Sequence, residues 1–259
     1  MVLRTAFDAD IVILAEKVCV RFCLPSDPIR SFKEFVIRRL WGHIGYREVW
    51  ALRDVNMTVR RGETVGVVGR NGSGKSTLLK TLARVFRPTS GRVYVRGSVA
   101  PLLELGSGFH PELTGRENVY LYGALLGHSR REVRTALDKI VEFAELHEFI
   151  DAPLRTYSSG MILRLGFAVA TAWEPDVLLV DEVLSVGDEA FARRCMERMR
   201  RFRENGVTVV VVSHNLSLIR EFCSKAMWLD RGVVRATGPS ADVVDLYYRS
   251  VCEPVLSHS

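Results

Sequence analysis

The sequence predicts an α/β fold built around a mostly parallel sheet, and three observations predict it. Short β-branched runs alternate with longer helical patterns, a glycine-rich turn stands between one such run and a helix, and a later apolar run ends in two adjacent carboxylates. At 259 residues and 47% hydrophobic, the chain can bury one sizeable core with a modest subdomain, so 1–259 is expected to be a single domain.

Strands are expected at 11–14, 17–22, 57–60, 63–68, 177–181, 207–212 and 226–230. Arg231-Gly232 follows the last, then VVRA, which reads as a terminal hairpin. Residues 107–172 carry no strong strand and read as an inserted helical subdomain. Two helix starts are marked there by Thr114-x-x-Glu117 and Ser129-x-x-Glu132, where hydroxyl and carboxylate cap the first turn reciprocally. Behind the second, Val133, Leu137, Ile140, Val141 and Ala144 keep a helical period. A further insertion, 24–49, places Phe32, Phe35, Val36 and Leu40 on one helical face ringed by Arg30, Lys33, Arg38 and Arg39. Pattern alone is equally compatible with a basic helix on a membrane surface and with a helix packed on its own domain. A short helix is expected after Pro239, through Arg249.

Composition excludes several classes. No apolar stretch approaches the roughly 20 residues of a membrane-crossing helix, and the N-terminus lacks a basic-then-apolar signal layout, so a cytoplasmic chain is expected. Cys19, Cys23, Cys195, Cys223 and Cys252 form no CxxC pair, which argues against a zinc or disulfide framework. A net charge of +6 is compatible with nucleic acid, an anionic membrane surface or plain solubility, and selects none of them.

Gly69-Arg70-Asn71-Gly72-Ser73-Gly74-Lys75-Ser76 fits G-x-x-x-x-G-K-[ST], with an apolar strand running into it and the helical pattern from Thr77 leaving it. Backbone N–H groups can wrap a polyphosphate only where side chains do not block the approach, which favours Gly69, Gly72 and Gly74. The helix N-terminus adds partial positive charge. Lys75 is expected on the β- and γ-phosphates of ATP and Ser76 on a magnesium ion. Such a loop needs a distant acidic strand end to complete the metal site, and Val177–Val180 followed by Asp181 and Glu182 supplies one. Asp181 is expected to hold magnesium through water, and Glu182 to take the proton of the attacking water.

Tyr157-Ser158-Ser159-Gly160-Met161, ahead of a helix and the acidic strand, resembles the LSGGQ signature of ABC ATPases. The resemblance implies the ABC-type P-loop fold, with an antiparallel β subdomain beside the core sheet. It also implies that two subunits pair head to tail, Ser158, Ser159 and Gly160 of one closing on the γ-phosphate held by the other. Ser159 and Met161 depart from the usual Gly and Gln. Read physically, Ser158 caps a helix whose N-terminus is an anion site. The same resemblance places Asp188 in a D-loop that crosses between subunits, His214 at the γ-phosphate, and either Glu104 or His110 where the family has its Q-loop glutamine. Phe22 matches the adenine-stacking aromatic, with Trp50 as competitor.

The wording of 102–118, together with YSSGM and DEVLSVGDEAF, is similar to the ABC subunits that export bacterial polysaccharides such as O-antigen, capsule, teichoic acid or galactan. That implies an integral-membrane permease in two copies, a second and identical ATPase subunit, no nucleic acid partner, and a peripheral position on the cytoplasmic face of the inner membrane. The 24–49 segment is then expected against the inner leaflet or the permease mouth, and no C-terminal carbohydrate-binding domain is expected. The alternative function is a non-transport regulatory or mechanical ABC ATPase.

Overall fold

The structure, a computed structural model, describes residues 8–25, 46–103, 105–181 and 188–252. Two sheets form the frame. An antiparallel sheet has the order β2-β1-β4, from β1 (Ile11–Pro25), β2 (Tyr46–Arg60) and β4 (Ser90–Val95). A six-stranded sheet has the order β5-β6-β7-β3-β8-β9. Its strands are β3 (Thr64–Val68), β5 (Val99–Leu102), β6 (Val177–Asp181), β7 (Thr208–Val212), β8 (Lys225–Asp230) and β9 (Val233–Pro239). All neighbouring pairs in it are parallel except β8 with β9. β3 and β7 are buried at every position and β6 through Val180. Valine-rich runs without alternation suit strands covered on both faces.

Both expected early strands are one strand, β1. Its ladder to β2 shifts between Ala15 and Val18, and Lys17 there adopts φ 48°, so the bulge at Glu16-Lys17 interrupts the alternation that would have joined the halves. The 24–49 insertion is shorter than expected, since residues 24–25 end β1 and 46–49 begin β2. The amphipathic face of Phe32, Phe35, Val36 and Leu40 lies outside the described residues. β4 and β5 had no sequence signal: β4 is mostly exposed, and β5 has only four residues, one of them Pro101.

The helices are α1 (Lys75–Leu82), α2 (Gly115–Leu125), α3 (Arg130–Ala144), α4 (Ser159–Ala170), α5 (Glu189–Glu204), α6 (Leu216–Phe222) and α7 (Ser240–Cys252). Both expected capping boxes form, at Thr114 with Glu117 and at Ser129 with Glu132. The buried face of α3 is Val133, Leu137, Ile140, Val141 and Ala144, as its period predicts. Rings of Phe143, Phe167 and Phe191, with centroids 5.5–6.2 Å apart, join α3 and α4 to α5. Asn118, fully buried, accepts from the His110 N–H at 2.7 Å and donates to the carbonyls of His110, Leu113 and Thr114, which ties the entry to the helical subdomain. Among the described residues, no helix is long and apolar enough to cross a membrane.

At the end of β8, Arg231 (φ 48°) and Gly232 (φ 78°) make the two-residue turn into β9, as expected for a twisted hairpin. The tip is built into the structure. Gly232 N–H donates to the Ser73 carbonyl at 2.8 Å, and its own carbonyl accepts from Arg53 N–H at 2.7 Å.

Candidate functional site

Strand β3 delivers the glycine-rich loop to the carboxyl edge of the parallel sheet, where ligands of open α/β sheets bind. A Cβ on Gly69 would stand 2.1 Å from the Leu229 carbonyl, and one on Gly74, at φ 105°, would stand 2.4 Å from the Ala51 carbonyl. Only glycine permits this close wrapping. Arg70, Asn71 and Gly72 are exposed at the mouth, Ser73 and Lys75 are buried, Ser76 is exposed and Thr77 is half-buried. Lys75 folds over the loop, donating from Nζ to the carbonyls of Gly69 at 2.9 Å and Arg70 at 3.1 Å. Ser73 Oγ is buried with no hydrogen-bond partner among the described residues. An orphaned hydroxyl beside a closely held lysine fits a polyphosphate, whose oxygens satisfy both.

The acidic and histidine positions arrive at the same edge. Asp181, half-buried, ends β6 and pairs with Val212 at the end of β7, which lies between β6 and β3. His214 follows β7 directly and is exposed. Glu182 and Glu104 lie outside the described residues. His110 is exposed, and its ring Nδ1 accepts from Glu112 N–H at 3.3 Å within a turn leading to α2.

Ser158 stands elsewhere, at the tip of α4 in the helical subdomain. Its Oγ accepts from Met161 N–H at 3.2 Å as the N-cap, which leaves the hydroxyl proton free to be donated outward. No acidic residue lies in the first turn to neutralise the helix end. Ser158 and Ser159 are exposed, and a Cβ on Gly160 would meet nothing closer than Ser158 Oγ at 3.8 Å. Packing within the chain therefore does not require glycine there.

Asp188 is engaged by its own chain. One oxygen accepts from Phe191 N–H at 2.9 Å, capping α5, and the other takes the Arg164 guanidinium. The backbone N–H of Phe191, followed by Arg164, holds its carboxyl below the usual range. Arg164 also binds Glu145 at 2.7 Å, and Glu145 binds Arg194 at 2.7 Å. Sequence reasoning missed this network. Its members are scattered over three helices, and no local spacing announces them.

Both candidate aromatics have packing partners. Phe22 is half-buried with its ring edge-on to Phe86 at 5.5 Å, and Trp50 lies under the Arg21 guanidinium at 5.5 Å.

A buried parallel sheet with a glycine cradle, an inward lysine and an acidic strand end at one edge defines a P-loop ATPase, and the antiparallel sheet and inserted helices give it the ABC form. The model for the ABC transporter family matches residues 52–185, and the chain belongs to that family. It is 46% identical over 85% of its length to the O-antigen export system ATP-binding protein RfbB of Myxococcus xanthus, of which it spans 51%. It is 49% identical over 79% of its length to the protein of the same name from Klebsiella pneumoniae, of which it spans 83%. Among solved structures, it resembles a dimeric bacterial ABC transporter cassette at 25% identity and a TM-score of 0.69, covering 88% of this chain and 98% of that one.

Proposed function

We propose that the chain is the ATP-binding and ATP-hydrolysing subunit that powers export of a lipid-linked polysaccharide across the inner membrane through a partner permease. The observation that carries it is the separation of two phosphate-binding devices. The loop of Gly69 to Thr77 faces the sheet edge, while the uncompensated tip of α4, with Ser158, Ser159 and Gly160, opens outward from another part of the surface. Two copies paired head to tail bring each device to the other's ligand. The similarity to O-antigen export subunits supports the substrate class.

In this reading, ATP enters the cradle and Lys75 leaves the carbonyls of Gly69 and Arg70 for the β- and γ-phosphates. Ser76 and Asp181 would hold a magnesium ion, Asp181 through water, and the ion would supply neutralising charge for the phosphates. The second subunit's Ser158 donates its hydroxyl proton to a γ-oxygen, and the free N–H groups of its helix end face the same charge. Glu182 accepts the proton of the water that attacks the γ-phosphorus, His214 contacts the γ-phosphate, and ADP and phosphate are released as the pair reopens. Phe22 or Trp50 stacks on adenine, and Glu104 or His110 takes the Q-loop position. Asp188 stands at the subunit boundary. The permease, in two copies, receives the closing motion, and the chain sits peripherally on the cytoplasmic face of the inner membrane, with the 24–49 segment on the side of the inner leaflet or the permease mouth.

The test is replacement of the chain by Glu182→Gln in its host. Lipid-linked polysaccharide should accumulate on the inside with none at the cell surface. Normal surface polysaccharide with normal carrier turnover would overturn the reading.

A further inference from the structure

The ion-pair network around Glu145 has a feature that ordinary surface pairing does not explain. Glu145 follows α3 as its C-cap in the left-handed region, φ 57° and ψ 45°, a conformation that glycine or asparagine fills without strain. A glutamate held there is favoured by what its carboxylate does. One oxygen accepts from Arg164 Nη1 of α4, the other pairs with Arg194 of α5, both at 2.7 Å. Arg164 continues to Asp188, the N-cap of α5, so the chain of charges closes into a ring: Asp188, Arg164, Glu145, Arg194, and back along α5. Both guanidiniums lie over the buried Phe191 ring, at 5.2 and 5.4 Å, which gives them a shared apolar support.

Pairs this exposed add little to folding stability: the Glu145 and Asp188 side chains are 52% and 56% accessible. Their shared geometry does something else. Arg164 lies on the same helix whose tip is Ser158, so holding Arg164 between two carboxylates ties the exposed half of α4 to the start of α5, in addition to the core packing of its buried half.

We propose that Glu145 is a positioning residue for the two-subunit ATP site: it clamps α4 to α5 so that Ser158 is presented to the partner's γ-phosphate by one rigid body. The proposal rests on the composite-site reading above, and its consequence is confined to the closed pair. ATP binding by a single subunit uses the cradle and is independent of the clamp.

The experiment compares Glu145→Gly and Glu145→Asn in the full chain carrying Glu182→Gln, by light scattering across a dilution series with magnesium and ATP. Both substitutions tolerate the left-handed backbone, so thermal midpoints should hold or rise. Affinity of the single subunit for ATP should stay within about twofold, while the dissociation constant of the ATP-bound pair rises about tenfold, the size of effect that removal of one coupling contact produces. In the wild-type background, kcat should fall with KM unchanged. Pair dissociation constants equal to the parent's for both variants would overturn the clamp and leave the composite site standing. A Glu182→Gln parent that stays monomeric at saturating ATP would overturn the composite site and the clamp together.

Discussion

The sheet edge and the tip of α4 position charge by opposite means. At the edge, Lys75, Asp181 and His214 are carried on strands or loops anchored in valine-rich layers with no solvent on either face. Their placement is a by-product of core packing. At the tip, Ser158 is exposed on the first turn of a helix whose far half, Leu165 to Ala170, is buried in the core, and its exposed half is held by a cap hydrogen bond and the Arg164 ion pairs. An apolar layer has one low-energy arrangement, whereas an exposed helix end held by a cap and ion pairs keeps its polar groups turned to solvent, open to a partner. In the proposed composite site, the sheet edge of one copy would supply an enclosed half and the helix tip of the other an exposed half, which meet only in the closed pair.

The largest effect that could break this comparison lies at the sheet edge. Glu182→Gln should lower steady-state hydrolysis by about 10²- to 10⁴-fold, the range for removal of a general base, while ATP binding measured by calorimetry persists. Next comes Lys75→Ala. Loss of a charge-assisted contact of about 1.5–3 kcal/mol should weaken ATP binding by one to two orders of magnitude in a single subunit, and unchanged affinity would remove the cradle from the mechanism. Alanine at Phe22 and at Trp50 sharpens the picture: the one that stacks on adenine should lose about 1–3 kcal/mol of ATP affinity, and the other should not.

Ser158→Ala probes the exposed helix tip. It should cost about 1 kcal/mol through the lost cap and lower hydrolysis, with ATP affinity of the single subunit unaltered; weakened single-subunit binding would mean that the two halves are not separate. The smallest expected effect concerns the joint before β6. Asp176 is held below the usual carboxylate range by the backbone N–H and then the hydroxyl of Ser98, at 2.8 and 2.9 Å. Because the folded value is depressed, its contribution is present above the unfolded value of about 3.9 and is lost as pH falls through the lower folded value. Asp176→Asn should therefore flatten the decline in thermal midpoint between neutral pH and about pH 3, relative to the parent.

The sequence made the sheet edge legible because its signals are local. A run of valines, a glycine-lysine turn and an acidic strand end each state their role within a few residues, and the fold follows from their order. The helix starts at Thr114 and Ser129 were legible for the same reason, since a capping box is a four-residue statement. What stayed hidden depends on distance along the chain or on weak burial. β4 is mostly exposed and therefore lacks alternation, and the bulge at Lys17 erased the continuity of β1. The association of Glu145 with Arg164, Asp188 and Arg194 needs three helices in place before any of it is visible.

The hairpin tip at Gly232 has a consequence for any shortened version of this protein. Its amide grips the carbonyl of Ser73 and its carbonyl receives Arg53, and a methyl group there would lie 2.6 Å from the Ala51 carbonyl. The back wall of the glycine-rich loop is thus contributed by residues encoded about 160 positions downstream of the loop itself. A chain cut just past β8, or a bulky replacement at this turn, amounts to an injury to ATP capture rather than a trimmed tail.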